Sequence, residues 1–159
     1  MILTSIFTVL LFSLLILFLI PSIHTELMKV FSLMSSGIVL FLSCLLLVEF
    51  DCNSYYFSNV VTYSLGSDLM NFKFSFGLDG ISLFFFILTS LLIFLCVLFI
   101  WNEIRFKEYA FNLLLIELLL LLVFSVLDIF LFYVFFEAIL IPMFVLIGVW
   151  GSRERKVRA

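Results

Sequence analysis

Long apolar stretches separated by short polar ones set the rhythm of the chain. The first runs from Ile2 to Ile20 and closes at Pro21 and the polar stretch Ser22 to Lys29. The second runs roughly from Val30 to Val48 and is ended by Glu49 and Asp51. A third begins after Gly80 and ends near Trp101, where an indole suits the headgroup level. "NEIRFKE" then interrupts the pattern. Tyr109 to Trp150 is too long for one membrane crossing of about 20 residues and suits two, with a tight turn at Ser125 to Asp128. The pattern predicts an all-α membrane fold of five transmembrane helices.

One long polar connection, residues 51–79, breaks the series. Within it "YYFSNVVTY" and "NFKFSF" flank "LGSD", and the second stretch alternates, with Phe72, Phe74 and Phe76 on one face. Alternation of period two fits a surface β-hairpin; a covering loop fits as well. The chain therefore divides into the first two helices (1–50), this extramembrane connection (51–79), the third helix with its inward loop (80–108), and the fourth and fifth helices with a basic tail (109–159).

Composition excludes most alternatives. The chain is 66% apolar and 12% charged, against about half apolar and a quarter charged in soluble domains. Apolar segments recur to the C-terminal end, unlike the single short run of a secretory signal. Cys44, Cys52 and Cys96 lie far apart without metal-ligand spacing, so neither a disulfide nor a metal site is expected. No phosphate-binding glycine loop or nucleophile–base pair occurs.

Charge sets the orientation. On a five-span map one side of the membrane carries only Lys73, and the other carries Lys29, Arg105, Lys107, Arg153, Arg155, Lys156 and Arg158. Seven against one predicts an outward N-terminus and an inward tail, "GSRERKVRA". That tail reads as a topology signal rather than a nucleic-acid patch, so the partner expected from these residues is the lipid bilayer.

Two acids stand out against this background. Glu137 is the one charge between Ile129 and Trp150 and lies about 13 Å from the turn, near the middle of a layer about 30 Å thick. Glu117 lies at similar depth on the antiparallel helix before it. An ionised acid there costs a few kcal/mol, so such residues face a bundle interior and belong to proton or ion paths. An apolar medium favours the neutral acid and a nearby cation favours the carboxylate, which together make a switchable proton site. Pro142 cannot donate to the carbonyl of Ala138, leaving an opened turn beside Glu137 that favours hydration. We take Glu137 as the proton-translocating residue and Glu117 as either a relay or a structural partner. Asp128 and Asp79 read as helix caps, with Gly77 and Gly80 easing entry into the third helix, and His24 as a solvated loop residue.

"FSFGLDGISLFFFILTSLLIFLCVL", "KEY" and "LDIFLFYVFFEAILIPMFVLIGVWGSRERKVRA" resemble the subunit 4 family of respiratory NADH dehydrogenase, the antiporter-like proton-translocating subunits of complex I. The resemblance covers about Phe76 to Ala159, and before Phe76 only the topology fits. It implies that the acid of "FFE", here Glu137, is a key residue of proton translocation, and it implies an outward N-terminus.

It also implies what the chain lacks. Family members have fourteen helices, with two inverted five-helix repeats from the fourth to the thirteenth, and the acid works with a lysine on the seventh. This chain stops before a sixth helix, so a second chain, or a segment lost by truncation, is expected to supply the sixth and later helices. None of the five spans as read contains a lysine, so the partner of Glu137 must come from elsewhere.

The function implied is the N-terminal part of a proton-pumping membrane-arm subunit of NADH:ubiquinone oxidoreductase, assembled with the other membrane-arm subunits. The location implied is the mitochondrial inner membrane, N-terminus toward the intermembrane space and C-terminus toward the matrix, or alternatively a bacterial plasma membrane. A subunit of a bacterial cation/proton antiporter, or a purely structural anchor, are the other readings. No cofactor is expected in this chain, whereas the whole complex would use NADH, FMN, iron–sulfur clusters and ubiquinone.

Overall fold

A computed structural model describes residues 2–50, 58–65 and 72–151; Cys52, the segment 66–71 and the basic tail from 152 lie outside them. Five helices run through it: α1 (Ile2–Leu19), α2 (Thr25–Glu49), α3 (Gly80–Phe99), α4 (Phe106–Ser125) and α5 (Ile129–Trp150). Each is long and apolar enough to cross a membrane. Their 18 to 25 residues give about 27 to 38 Å, the thickness of a hydrocarbon core and its margins. Two of them start earlier than their apolar runs. Thr25 opens α2 and Phe106 opens α4, so Lys29 and Lys107 sit in first or second turns rather than in loops.

α4 is the centre of the bundle and packs against α1, α2, α3 and α5. The buried positions recur at intervals of three and four: Leu3, Ile6, Leu10, Leu14 and Leu17 on α1, with Leu83, Phe86, Ile93 and Val97 on α3. This seam lets antiparallel helices interlock side by side. Where the stripe on α2 meets its neighbours it is made of serines, Ser32, Ser35, Ser36 and Ser43, all buried. Small residues let helix backbones approach closely, which is how helices associate where lipid removes the hydrophobic drive. Ser43 also hydrogen-bonds Ser90 of α3 at 2.9 Å. The outer faces are as apolar as the inner ones, with Phe12, Phe18, Phe84 and Phe144 exposed, as lipid contact requires.

The connection before α3 contains two strands, β1 (Ser58–Leu65) and β2 (Phe72–Leu78), paired antiparallel with Thr62 opposite Ser75. β2 is tied to the α4–α5 turn: Leu127 N–H donates to the Ser75 carbonyl at 3.0 Å, and Phe76 forms a bridge with Val126. The Phe76 ring also sits 6.0 Å from that of Phe7 on α1. The pair of strands thus covers the end at which α1 begins and α4 turns into α5.

Both expected caps are present. Asp79 accepts from the Gly80 N–H at 2.8 Å, and Asp128 accepts from the Phe130 N–H at 3.1 Å, each placing an acid at the positive end of its helix. The entry that Gly80 was expected to ease is not tight at this position. A Cβ there would touch the Phe50 ring at an ordinary 3.6 Å, so other small residues fit the entry. At Gly151 a Cβ would overlap the Ile147 carbonyl oxygen that its own N–H caps, which explains a glycine after Trp150.

Lys29, Arg105 and Lys107 all gather at the opposite end, here termed the basic end, where α1, α3 and α5 finish and α2 and α4 start. Lys29 pairs with Glu26 and lies 5.8 Å over the Trp101 ring; Arg105 pairs with Glu108 and lies 6.0 Å over Trp150. Lys107 donates to the carbonyls of Ile20 at 2.6 Å and Phe18 at 3.2 Å, satisfying the open end of α1. Cations and indoles at one level mark a membrane–water boundary.

Candidate proton site

The two membrane acids have opposite surroundings. Glu137 is exposed, on the side of α5 that faces away from the bundle. α5 rests on α4 and on no other helix to a comparable extent, with Leu131, Ile139 and Pro142 turned inward. The outward face then carries Tyr133, Glu137, Leu140 and Phe144 at helical spacing. Tyr133 stands one turn before Glu137 on the same exposed face, so the two side chains are neighbours along the helix. The expectation that Glu137 faces a bundle interior is therefore not met among these five helices. The physical reason is azimuth: one packed neighbour buries one stripe of α5, and Glu137 lies on another.

Glu117 is the enclosed acid. It has no exposed surface, and neither carboxyl oxygen has a hydrogen-bond partner among the described residues. Its place seven residues before Phe124, two helical turns, puts it on the same face of α4 as that ring. Phe124 stacks on Phe85 of α3 with centroids 5.6 Å apart, so Glu117 looks toward α3 and the interior. The residues buried beside it on α4 are Leu113, Leu114 and Leu121.

Pro142 lies inside α5 with its ring buried, and α5 continues through it as a single helix to Trp150. Its missing N–H leaves the carbonyl of Ala138, the residue after Glu137, without the usual partner. Asp128 is engaged as a cap, and His24 is exposed at the start of α2. Among the described residues no group of His, Cys, Asp or Glu has the placement to hold a metal ion, and Cys44 and Cys96 are free thiols.

Sequence reasoning passed over the buried hydroxyls. Ser13, Ser32, Ser36, Ser43 and Ser90 all lie inside, and their spacing along α2 was a readable sign of the face turned to the core. A serine stripe on an otherwise Leu- and Phe-rich span has no reason to face lipid.

Comparison with known proteins converges on one family. Residues 126–159 match the family described as "NADH:quinone oxidoreductase/Mrp antiporter, TM". NADH-ubiquinone oxidoreductase chain 4 of Prototheca wickerhamii is 47% identical over 156 residues, and that of Chondrus crispus 46% over 146; the matches take in 88% and 91% of this chain. The Arabidopsis thaliana chain 4 is 44% identical over 146 residues. In each case this chain spans about 30% of the relative's length. Among solved structures, a chain of respiratory complex I from Thermus thermophilus with bound NADH superposes with a TM-score of 0.71 at 27% identity, covering 98% of this chain and 30% of that one.

Proposed function

We propose, from the premise that this chain is a homologue of NADH-ubiquinone oxidoreductase chain 4, that it forms the first part of a proton-translocating module in the membrane arm of complex I. The observation that carries the reading is Glu137: an acid at mid-membrane, beside Tyr133 and one residue from the carbonyl that Pro142 leaves open, on a helix face that nothing in these five helices covers. Left against lipid, a carboxyl group there has no favourable role, since a charge in hydrocarbon costs a few kcal/mol. Covered by further helices that bring a cation and water, it becomes a group that takes a proton when the cation is distant and releases it when the cation is near. The remaining helices, supplied by a further chain or segment, are the source of that cation.

In this reading the protein resides in the mitochondrial inner membrane with its basic end toward the matrix, as the distribution of lysine and arginine supports. Its partners are the other membrane-arm subunits of complex I. The chain itself performs no redox step, and its contribution to the NADH:ubiquinone reaction is the protons moved.

Glu137→Gln tests this. The substitution keeps shape and hydrogen-bonding capacity but removes proton exchange. In the assembled complex, protons moved per NADH oxidised should fall markedly, and transfer through this subunit by at least about tenfold. An assembled variant that pumps as the unchanged complex does would refute the assignment.

A further inference from the structure

Glu117 has no hydrogen-bond partner among the described residues and is wholly enclosed, yet the interior around it is not uniformly apolar. Levels along the antiparallel helices follow from three contacts: Lys107 reaches the end of α1 at Phe18 and Ile20, Phe85 stacks on Phe124, and Ser43 bonds Ser90. Stepping from each at about 1.5 Å per residue, Glu117 stands level with Val9 on α1, Leu92 on α3 and about Phe41 on α2. Ser13 and Ser36 then lie one turn nearer the basic end, and Ser32 a turn beyond Ser36. Ser90 and Ser43 lie less than a turn in the other direction, after which Phe86, Leu46 and Leu121 close the interior.

The hydroxyls facing the basic end share one geometry. Ser13 donates to the Leu10 carbonyl at 2.8 Å, Ser36 to Leu33 at 3.0 Å and Ser32 to Lys29 at 3.0 Å. With its proton turned back onto its own helix, each oxygen keeps acceptor lone pairs for a neighbour. Steps of one turn, about 5 to 6 Å, exceed direct hydrogen bonding and suit bridging by single waters. Below Ser32 come Met28 and Phe106, both buried, and the same two residues also line a crevice of about 190 Å³ at the basic end, with Ser22, Thr25, Arg105 and Lys107. The row of hydroxyls therefore begins one turn from two residues that line a crevice at the basic end and leads to the level of an acid.

No charged side chain of α1, α3 or α5 stands at the level of Glu117 on the packed faces. Among the described residues the nearest cations, Lys107 and Lys29, are about 15 Å away at the basic end and already engaged, Tyr109 packs against Trp150, Cys96 is exposed, and Glu137 is on the far side of α5.

We propose that Glu117 is a protonated carboxylic acid that exchanges its proton with the basic side of the membrane through waters held along Ser36, Ser13 and Ser32, behind a gate formed by Met28 and Phe106. Exchange is balanced: as the acid passes its proton to the adjacent water, another proton arrives along the row on the same carboxyl group, and no net charge remains inside. The site needs only the first four helices. It is independent of the Glu137 reading, so one can fail while the other stands.

The test is infrared spectroscopy of the purified complex transferred into heavy water. A protonated carboxyl stretch that disappears in Glu117→Gln belongs to Glu117, and its shift in heavy water times the exchange. Ser36→Val should slow that shift at least tenfold, while Ser43→Ala, beyond the acid, should leave it unchanged. Ser36→Ala, which removes the hydroxyl without adding bulk, should also slow it and serves if the Val variant fails to assemble. Glu137→Gln should leave the band and its timing in place. Absence of a Glu117 carboxyl band, an unchanged rate in the Ser36 variants, or equal slowing by Ser43→Ala would overturn the proposal.

Discussion

α4 and α5 are neighbours of nearly equal length and each carries one glutamate at depth, yet one helix is enclosed and the other open. Four helices surround α4, whereas α5 leans on α4 and presents Phe130, Tyr133, Glu137 and Phe144 outward. Depth in a membrane and burial in a protein are separate properties. An apolar run establishes the first, because its length matches the bilayer. The second depends on which neighbours arrive and on which side, and among the described helices α5 packs chiefly on α4 alone.

The contrast has consequences of different size. The largest concerns a cation in place of each acid. Glu117→Arg puts a charge, without a partner, into an enclosed interior and should destabilise the bundle by about 3 kcal/mol or more. Glu137→Arg lies on an open face from which a long side chain bends toward the boundary, and should leave the five-helix unit intact. Comparing the resistance of the two variants to denaturing detergent measures the difference, and equal loss in both would dissolve the distinction between the helices.

A smaller effect tests whether hydroxyls inside the bundle hold it together or serve another purpose. Ser43 and Ser90 make the one direct side-chain bond between helices within the described membrane interior. A double-mutant cycle with alanine at both should give a coupling of about 0.6 kcal/mol. A value of several kcal/mol would mean that the interior hydroxyls are chiefly structural glue, and would weaken the case for water along Ser32 and Ser36.

Much of this architecture was readable from residues. The five spans followed from run length, and the caps at Asp79 and Asp128 from acid preceding apolar helix. The helix starts at Thr25 and Phe106 were missed because Glu26, Lys29, Lys107 and Glu108 break the apolar run, although polar first turns at the headgroup level are satisfied by water, by each other and by neighbouring helix ends. Family resemblance pointed to Glu137 by its motif, and the motif is silent about direction. The burial of Glu117 was not legible from α4 alone, whose residues on every side are Leu or Ile. It depended on α2, where Ser32, Ser36 and Ser43 mark the inner face at intervals of four and seven.

The central claim is that the open face of α5 is an interface with protein that these helices do not include. Phe144 lies two turns beyond Glu137 on that face and is 78% exposed. Replacing it with the photoreactive p-benzoylphenylalanine and irradiating the assembled complex reports directly on what covers it. The account predicts adducts to a polypeptide segment carrying the later helices, and adducts to lipid alone would contradict it.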